Sequence, residues 1–497
     1  MNKYIYLSII SLLVISGFLF SCDDQEKYSN NPSHHLLFSH DTIHFDTIFT
    51  TIGSSTRVLK VYNRNEENLK LSSVRLVGSE QSGFRVNVDG HSGREFNDLE
   101  IRSNDSMYIF VEVKVDPQDK ANPILIKDSL IFQMTNGIQQ DVKLLAYGQD
   151  VLKLHGKVID KDTVFNSLRP ILVYDSLRVN EGVTLTIESG TRLYFHDKIY
   201  CHIYGTLKVN GTLWEPVVFR GDRMDWLLNI NYDRIAGQWG GIHFYKSSYD
   251  NHLQYADIHS GDYGIRCDSS DIDRMKLKLE NSIVHNMRGD CLNFTHSKVL
   301  VGNCQITNAR KNCVSLTGGD NEFIHCTIAS FYLGLNNHDL PREGVAVYLS
   351  NTEDKPLIKA DFRNCLITGS GQDEIQGIKN ESSDFNYLFS YSLVNTFLNE
   401  KDEDYGEQLS HYKGVKWDDK KDEKGRSLSK DKNFLYIDSK ERFYDFGPDS
   451  LSAAINMALY EDAQNYYPID LQGRYRLMDG FPDAGCYEWM EGDGKVE

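Results

Sequence analysis

Between residues 250 and 395 short apolar stretches return at a regular interval, set apart by Gly, Asn and Asp. With the chain aligned on Ile258, Val284, Ile306, Ile328, Ile367 and Val394, the position two before is always small: Ala256, Ser282, Cys304, Cys326, Cys365, Ser392. The position three before reads Tyr255, Asn281, Asn303, His325, Asn364, Tyr391, and the position two after begins Ser260, Asn286, Asn308, Ser330. A second apolar strand follows each first one, at Ile265, Leu292, Val314, Leu335 and Ile375. Successive copies lie roughly 21 to 27 residues apart, with one interval near 40. A fixed period in that range signals a solenoid, whose repeats bury a core only by stacking on one another. Short strands between turn residues make its coils β-structure. About ten coils at a spacing of ~4.8 Å predict a rod on the order of 50 Å long.

Other patterns flank this one. Residues 35–149 alternate apolar and polar positions in about seven strands, among them 44–49, 58–62, 74–77, 107–115, 129–134 and 142–147. Turn clusters such as Asn63-Arg64-Asn65 and Asn136-Gly137 separate them, which predicts an antiparallel β-sandwich. A polar tether covers residues 22–34, and residues 398–432 are densely charged with both signs mixed, reading as a solvated loop or disordered insertion. A short helix is expected over Ser450–Leu459. The first residues hold one Lys, an apolar run from Ile5 to Phe20, then Ser21 and Cys22, the layout of a secretory signal peptide over residues 1–21.

Three resemblances sharpen this picture. The segment Phe45-Asp46-Thr47-Ile48-Phe49-Thr50-Thr51-Ile52-Gly53, followed by Val58-Leu59-Lys60-Val61-Tyr62-Asn63, resembles immunoglobulin-like modules of the abnormal-spindle and hydin type. The string Glu181-Gly182-Val183-Thr184-Leu185-Thr186-Ile187, then Gly205-Thr206-Leu207, Gly211-Thr212 and Gln238-Trp239-Gly240-Gly241-Ile242, resembles the opening coils of right-handed parallel β-helix proteins of the pectate-lyase-like superfamily. That likeness implies an architecture and no activity. Asp470-Leu471-Gln472-Gly473-Arg474-Tyr475-Arg476 and Asp479-Gly480-Phe481-Pro482-Asp483-Ala484-Gly485-Cys486-Tyr487-Glu488 resemble the terminal motif that closes many bacterial surface β-helices. A solenoid end leaves strand edges unpaired, so a cap over residues 433–497 is expected, its Arg and Asp residues pairing to hold it. The expected fold is therefore all-β: an immunoglobulin-like sandwich over 35–149, a right-handed parallel β-helix over 150–397 and a C-terminal cap.

Leu19-Phe20-Ser21-Cys22 resembles a bacterial lipobox, which implies cleavage before Cys22 and lipidation of its thiol. Acyl chains contribute roughly 0.8 kcal/mol per buried CH₂, enough to anchor without a spanning helix. The following Asp-Asp-Gln-Glu resembles the acidic tag of surface-exposed lipoproteins, so an outer-membrane location, with cell-surface exposure, is expected. A formal charge of −18 argues against nucleic acid, whose phosphates demand basic patches. Of the eight cysteines beyond Cys22, Cys304, Cys326 and Cys365 share one inward position and Cys291 and Cys313 another, so they read as buried free thiols. No C-x₂-C pair exists, and no metal or cofactor is expected.

Candidate chemistry is sparse. Relatives that hydrolyse pectin carry Asn-Thr-Asp, Asp-Asp, Gly-His-Gly and Arg-Ile-Lys motifs, and none stands in these coils; the adjacent Asp pairs are Asp23-Asp24 and Asp418-Asp419. Neither a P-loop, a dinucleotide fingerprint nor a Gly-x-Ser-x-Gly elbow is present. Asp262, Arg288, Asp290, Arg310 and Lys311 recur in one turn of successive coils and form the candidate glycan-contact stripe. His259 and His285 follow the aligned apolar residue and read as surface histidines, since the third coil offers Thr307 instead of another ligand. Asn281, Asn303 and Asn364 read as a structural ladder, and a long excursion from Asn336 to Lys359 offers a second recognition element. Tyr residues and the Trp239 segment would supply a sugar-stacking platform if they share a face. These features favour non-catalytic recognition of a polysaccharide or envelope partner over a polysaccharide lyase or glycoside hydrolase.

Overall fold

The computed structural model describes residues 27–78, 82–227, 230–334, 341–418 and 430–493, which divide into two compact units. The signal peptide, Cys22 and Leu335 lie outside the described residues.

The first unit is a sandwich of two five-stranded sheets. One sheet runs Leu36–Phe38, Arg57–Asn63, Ser106–Val113, Phe84–Val88 and His91–Gly93; the other runs Thr42–Phe49, Gln139–Gln149, Ile124–Met134, Leu69–Leu76 and Glu95–Ile101. Alternation along Ser106–Val113 sends Met107, Ile109, Val111 and Val113 inward, where they meet Leu71, Val74, Phe132 and Leu144 from the other sheet. Among the described residues the named strands pair antiparallel except that Thr42–Phe49 lies parallel to Gln139–Gln149.

The second unit is a parallel β-helix. Most coils carry three strands, as in Lys298–Gly302, Gln305–Ala309 and Val314–Thr317. First strands stack into a ten-stranded parallel sheet, while second and third strands together make the eighteen-stranded one. Inward residues of successive coils stack in register, Ile258 on Val284 on Ile306 on Ile328 on Ile367 on Val394, and all are buried. The small residues Ala256, Ser282, Cys304, Cys326, Cys365 and Ser392 are buried at the corner before them. The eight described cysteines are all free and buried, and burial pushes the Cys304 and Cys326 thiols well above their usual value.

The corners explain the recurrent polar residues. Tyr255, Asn281, Asn303, His325, Asn364 and Tyr391 each take a left-handed backbone with φ between 47° and 55°, which turns the chain in one residue. Asn tolerates this region better than most residues, and its amide reaches the next coil. Asn303 Nδ2 donates to Asn281 Oδ1 at 2.8 Å, and Asn364 Nδ2 meets His325 Nε2 at 2.9 Å, so the ladder runs along the axis.

Four boundaries differ from expectation. The third strand after Val314 is Val347–Ser350, paired Val314 to Val347, so the excursion of 336–359 contains a strand and ends in the next first strand, Leu357–Arg363. The β-helix also continues past residue 397. Tyr412–Lys413 and Lys416–Trp417 pair with the preceding coil, and Tyr405–Ser410 is helical, so the described part of the charged segment up to residue 417 adds to the coils, while 419–429 lie outside the described residues. Ser450–Leu459 forms turns, with the helix at Tyr460–Asn465 instead. The C-terminal segment covers the solenoid along its flank: Leu459 N bonds Asn364 Oδ1 at 2.8 Å, Cys486 N bonds Thr327 Oγ1 at 3.1 Å and Tyr487 Oη donates to Gln305 Oε1 at 2.7 Å. Phe434, Phe446, Leu471, Ala484 and Cys486 bury Phe331, Leu366 and Leu393 of the coils beneath.

Candidate functional site

Outward positions of the third strands collect the polar and aromatic residues that the C-terminal strap does not contact. Register places Arg178, His202, His243 and Arg266 in one column, followed by Asn293, Ser315, Tyr348 and Gln376. Around its upper part stand Tyr200, Tyr204, Tyr245 and Tyr263, all half-buried. Tyr204 and Tyr245 stack at 4.0 Å, His243 stacks on Tyr245 at 4.0 Å, and His202 Nδ1 lies 2.9 Å from Tyr245 Oη. Arg178 sits 4.4 Å over the Tyr204 ring and Arg266 5.0 Å over that of Tyr263. His243 Nε2 lies 2.8 Å from Asp268 Oδ1. The Gly240-Gly241 pair permits this arrangement: a Cβ on Gly240 would fall 2.4 Å from the Tyr200 ring, and Gly241 has φ +110°.

Burial disfavours the charged forms of His202 and Tyr245. Burial, with the neighbouring His243 and Arg178, holds His202 below its ordinary pKa. Burial and a hydrogen bond with Tyr204 push Tyr245 up. The face thus offers imidazole and phenol edges between two guanidinium groups, a mixture of apolar ring surface and donors suited to sugar hydroxyls.

The expected stripe of Asp262, Arg288, Asp290, Arg310 and Lys311 divides. Asp262 and Arg288 form an ion pair beside Tyr200 and Tyr263 at the margin of the aromatic face. Asp290 is buried and accepts from Asn312 N at 2.9 Å and Asn293 Nδ2 at 2.7 Å, so it fixes its turn. Arg310 is sequestered by Glu343, and Lys311 is exposed. The stripe is therefore no continuous contact surface. Arg342 of the excursion is likewise committed, forking onto the fully buried Glu374. Trp239 is no platform: it is fully buried, stacks on Phe195 at 4.6 Å and donates Nε1–H to His259 O at 2.8 Å.

A second cluster lies on the second-strand face. His259 is buried, contrary to its reading as a surface residue, because the 230–240 loop folds over it. That loop carries a short turn, Tyr232–Arg234, whose Asp233 meets His259 Nε2 at 3.0 Å. On its other side His259 Nδ1 meets Asp257 Oδ1 at 2.9 Å, and Asp257 lies 3.4 Å from His285 Nε2. Arg220 pairs with Asp233. Burial opposes charge here, but the facing carboxylates prevail, pushing His259 up to about 9, while burial is likewise outweighed at Asp257 and Asp233 by the histidines, which hold both well below the usual carboxylate range. Arg220 and Asp233 escaped the sequence reading. Extending the repeat one coil upstream, Phe219 under Ile258, would have put Arg220 beneath His259; nothing in the sequence announces Asp233.

Residues 221–392 match the family model of the right-handed beta helix region, so this part of the chain is a right-handed β-helix. No curated protein matches the chain. Among solved structures, the ASH/PapD-like domain of human CEP192 is similar at 11% identity over 24% of this chain and 90% of that one, with a TM-score of 0.18. A protein of unknown function from Porphyromonas gingivalis W83 shares 13% identity over 26% of this chain and 60% of its own, and a family 123 glycoside hydrolase from Clostridium perfringens 7% over 24% and 30%, each at a TM-score of 0.18.

Proposed function

We propose that this chain is an exported, lipid-anchored β-helix protein that binds a surface glycan without cleaving it, through the aromatic and imidazole face of its third strands. The observation that carries this reading is the gathering of Tyr200, His202, Tyr204, His243, Tyr245 and Tyr263 with two arginines on consecutive coils. A rigid β-helix holds such a column at the ~4.8 Å coil spacing, close to the size of a sugar ring, so one chain of sugars would contact several coils. Arg178, Arg266 and the marginal Arg288 favour an acidic glycan despite the overall negative charge.

A glycan array probed with residues 27–497 tests the reading. Tyr245→Ala and Arg266→Ala should each weaken binding of the best ligand about fivefold, since a ring or cation contact is worth about 1 kcal/mol, and the arginine variant should lose its effect in high salt. Unchanged binding by both variants would sink it. A second reading, lyase cleavage of an acidic polysaccharide, is favoured by the His202–Tyr245 and His243–Asp268 pairs beside these arginines. A phenol or imidazole there would take the proton next to a uronate whose charge the guanidinium offsets. Appearance of unsaturated uronate absorbance on incubation would replace the binding reading with this one.

The anchor rests on Leu19-Phe20-Ser21-Cys22. Among the described residues no helix is long and apolar enough to cross a membrane. Cys22→Ala should abolish metabolic lipid labelling and shift the protein from the membrane to the soluble fraction. Unaltered fractionation and labelling would refute the anchor.

A further inference from the structure

On the second-strand face, away from the aromatic column, the stacking of coils places Asp257 and His259 of one strand directly against His285 of the next, with His259 in register on His285. One ligand atom from each of the three lies within 4.8 Å of the others. We propose that Asp257, His259 and His285 are the three protein ligands of a divalent transition-metal site of the zinc type, with Asp233 as its orienting partner.

Distances carry the argument. Metal–ligand bonds of about 2.0–2.2 Å on a tetrahedron set ligand atoms roughly 3.3–3.5 Å apart. Asp257 Oδ1 already lies 3.4 Å from His285 Nε2 and 2.9 Å from His259 Nδ1. The remaining edge joins the two imidazoles, stacked at 4.9 Å with a tilt of 27°. Metal binding requires this edge to shorten by a rotation about the side-chain torsions of His285, which is a quarter exposed.

The surroundings point the same way. If His259 ligates through Nδ1, its other nitrogen should donate to a carboxylate, the arrangement that fixes metal-bound imidazoles. Asp233 Oδ1 sits 3.0 Å from that Nε2. Asp233 is in turn held by Arg220 and by Ser260 Oγ, which donates to Asp233 O at 2.7 Å. Two imidazoles and one carboxylate suit zinc, copper or nickel and not calcium or magnesium, which prefer all-oxygen shells. Three protein ligands leave a fourth position, and Asp257 and His285 are both partly exposed, so an external ligand or water can complete the shell.

The test uses the full chain in detergent, stripped with a chelator and dialysed against Zn²⁺ or Co²⁺ alone. The wild type should take up one Zn²⁺ per chain beyond what the Asp257→Asn/His285→Ala double variant takes, and Co²⁺ should give the intense visible bands of a tetrahedral site. Each single ligand variant should weaken binding at least about 100-fold, and Asp233→Asn about 10- to 100-fold. Because the wild-type cobalt spectrum needs no variant, a folding defect cannot mask the result; melting of the metal-free variants identifies any such defect. Equal uptake by wild type and the double variant, or cobalt bands of six-coordinate surface binding only, would overturn the proposal. The site is independent of glycan binding, so Tyr245→Ala should leave metal uptake unchanged.

Discussion

Arg476→Ala is expected to destabilise the second unit by about 3–5 kcal/mol, the range for truncating a large, fully buried side chain and leaving its hydrogen-bond partners unsatisfied. Arg476 has no exposed surface; its Nη2 donates to Asn303 Oδ1 at 2.6 Å and its Nη1 to Glu488 Oε2 at 3.2 Å. The guanidinium thus clips the C-terminal strap to a corner amide of the coils. It also faces two buried carboxyls: burial, with the charge of Asp483, drives Glu488 up to about 9, burial, with the charge of Asp479, drives Asp483 up to about 6, and Arg476 opposes both shifts. Without it, Asn303 Oδ1 loses its partner and the strap loses its cation. Urea unfolding should show the loss, and limited proteolysis should cut first within residues 455–493 instead of in loops elsewhere. A variant with wild-type midpoint and unchanged cleavage would mean that the apolar contact of Phe434, Leu471 and Cys486 holds the strap without Arg476.

Phe362→Ala should cost about 3–5 kcal/mol, the range for removing a fully buried Phe. Phe362 sits between Phe323 at 4.6 Å and Phe389 at 4.8 Å, both stacked, and Phe389 stacks on Tyr412 at 5.3 Å. These rings share one inward position of successive first strands. A solenoid coil is stabilised mainly by its neighbours, so a hole in this column weakens the interface between two coils more than either coil alone. Hydrogen exchange should therefore accelerate most in 388–417, while the sandwich of residues 35–149 keeps its protection. Uniform acceleration across both units would contradict this local picture.

Much of the architecture is local information. Ala256, Ser282, Cys304, Cys326, Cys365 and Ser392 line one buried corner because a tight turn admits only small side chains there, and the Asn residues before them recur because a left-handed corner suits them. Such rules act within five or six residues and repeat with the coil, so periodicity exposes them. The same holds for the alternating strands of the sandwich. In the interval near 40, spacing points to Leu335 but an inserted loop breaks the period, and an apolar residue alone does not say which coil it joins; pairing of Val347 with Val314 decides that. Tyr412 and Trp417 were lost in a charged stretch for a related reason. Their strands exist because the coil ending at Val394 offers an open edge to pair with.

What surrounds an outward side chain is a different matter. The β-solenoid, the sandwich before it, the burial of the cysteines and the positions of the corners are all legible from the chain, since each depends on spacing along it. Folding in three dimensions adds that Asp233 reaches His259, that Arg310 and Arg342 are taken by Glu343 and Glu374, that Arg476 closes on Asn303, and that six aromatic and imidazole rings share one face. This follows because neighbouring coils bring together residues separated by loops of unequal length. An inward position is dictated by its own strand, whereas an outward one takes its partners from whichever loop or returning segment folds over it.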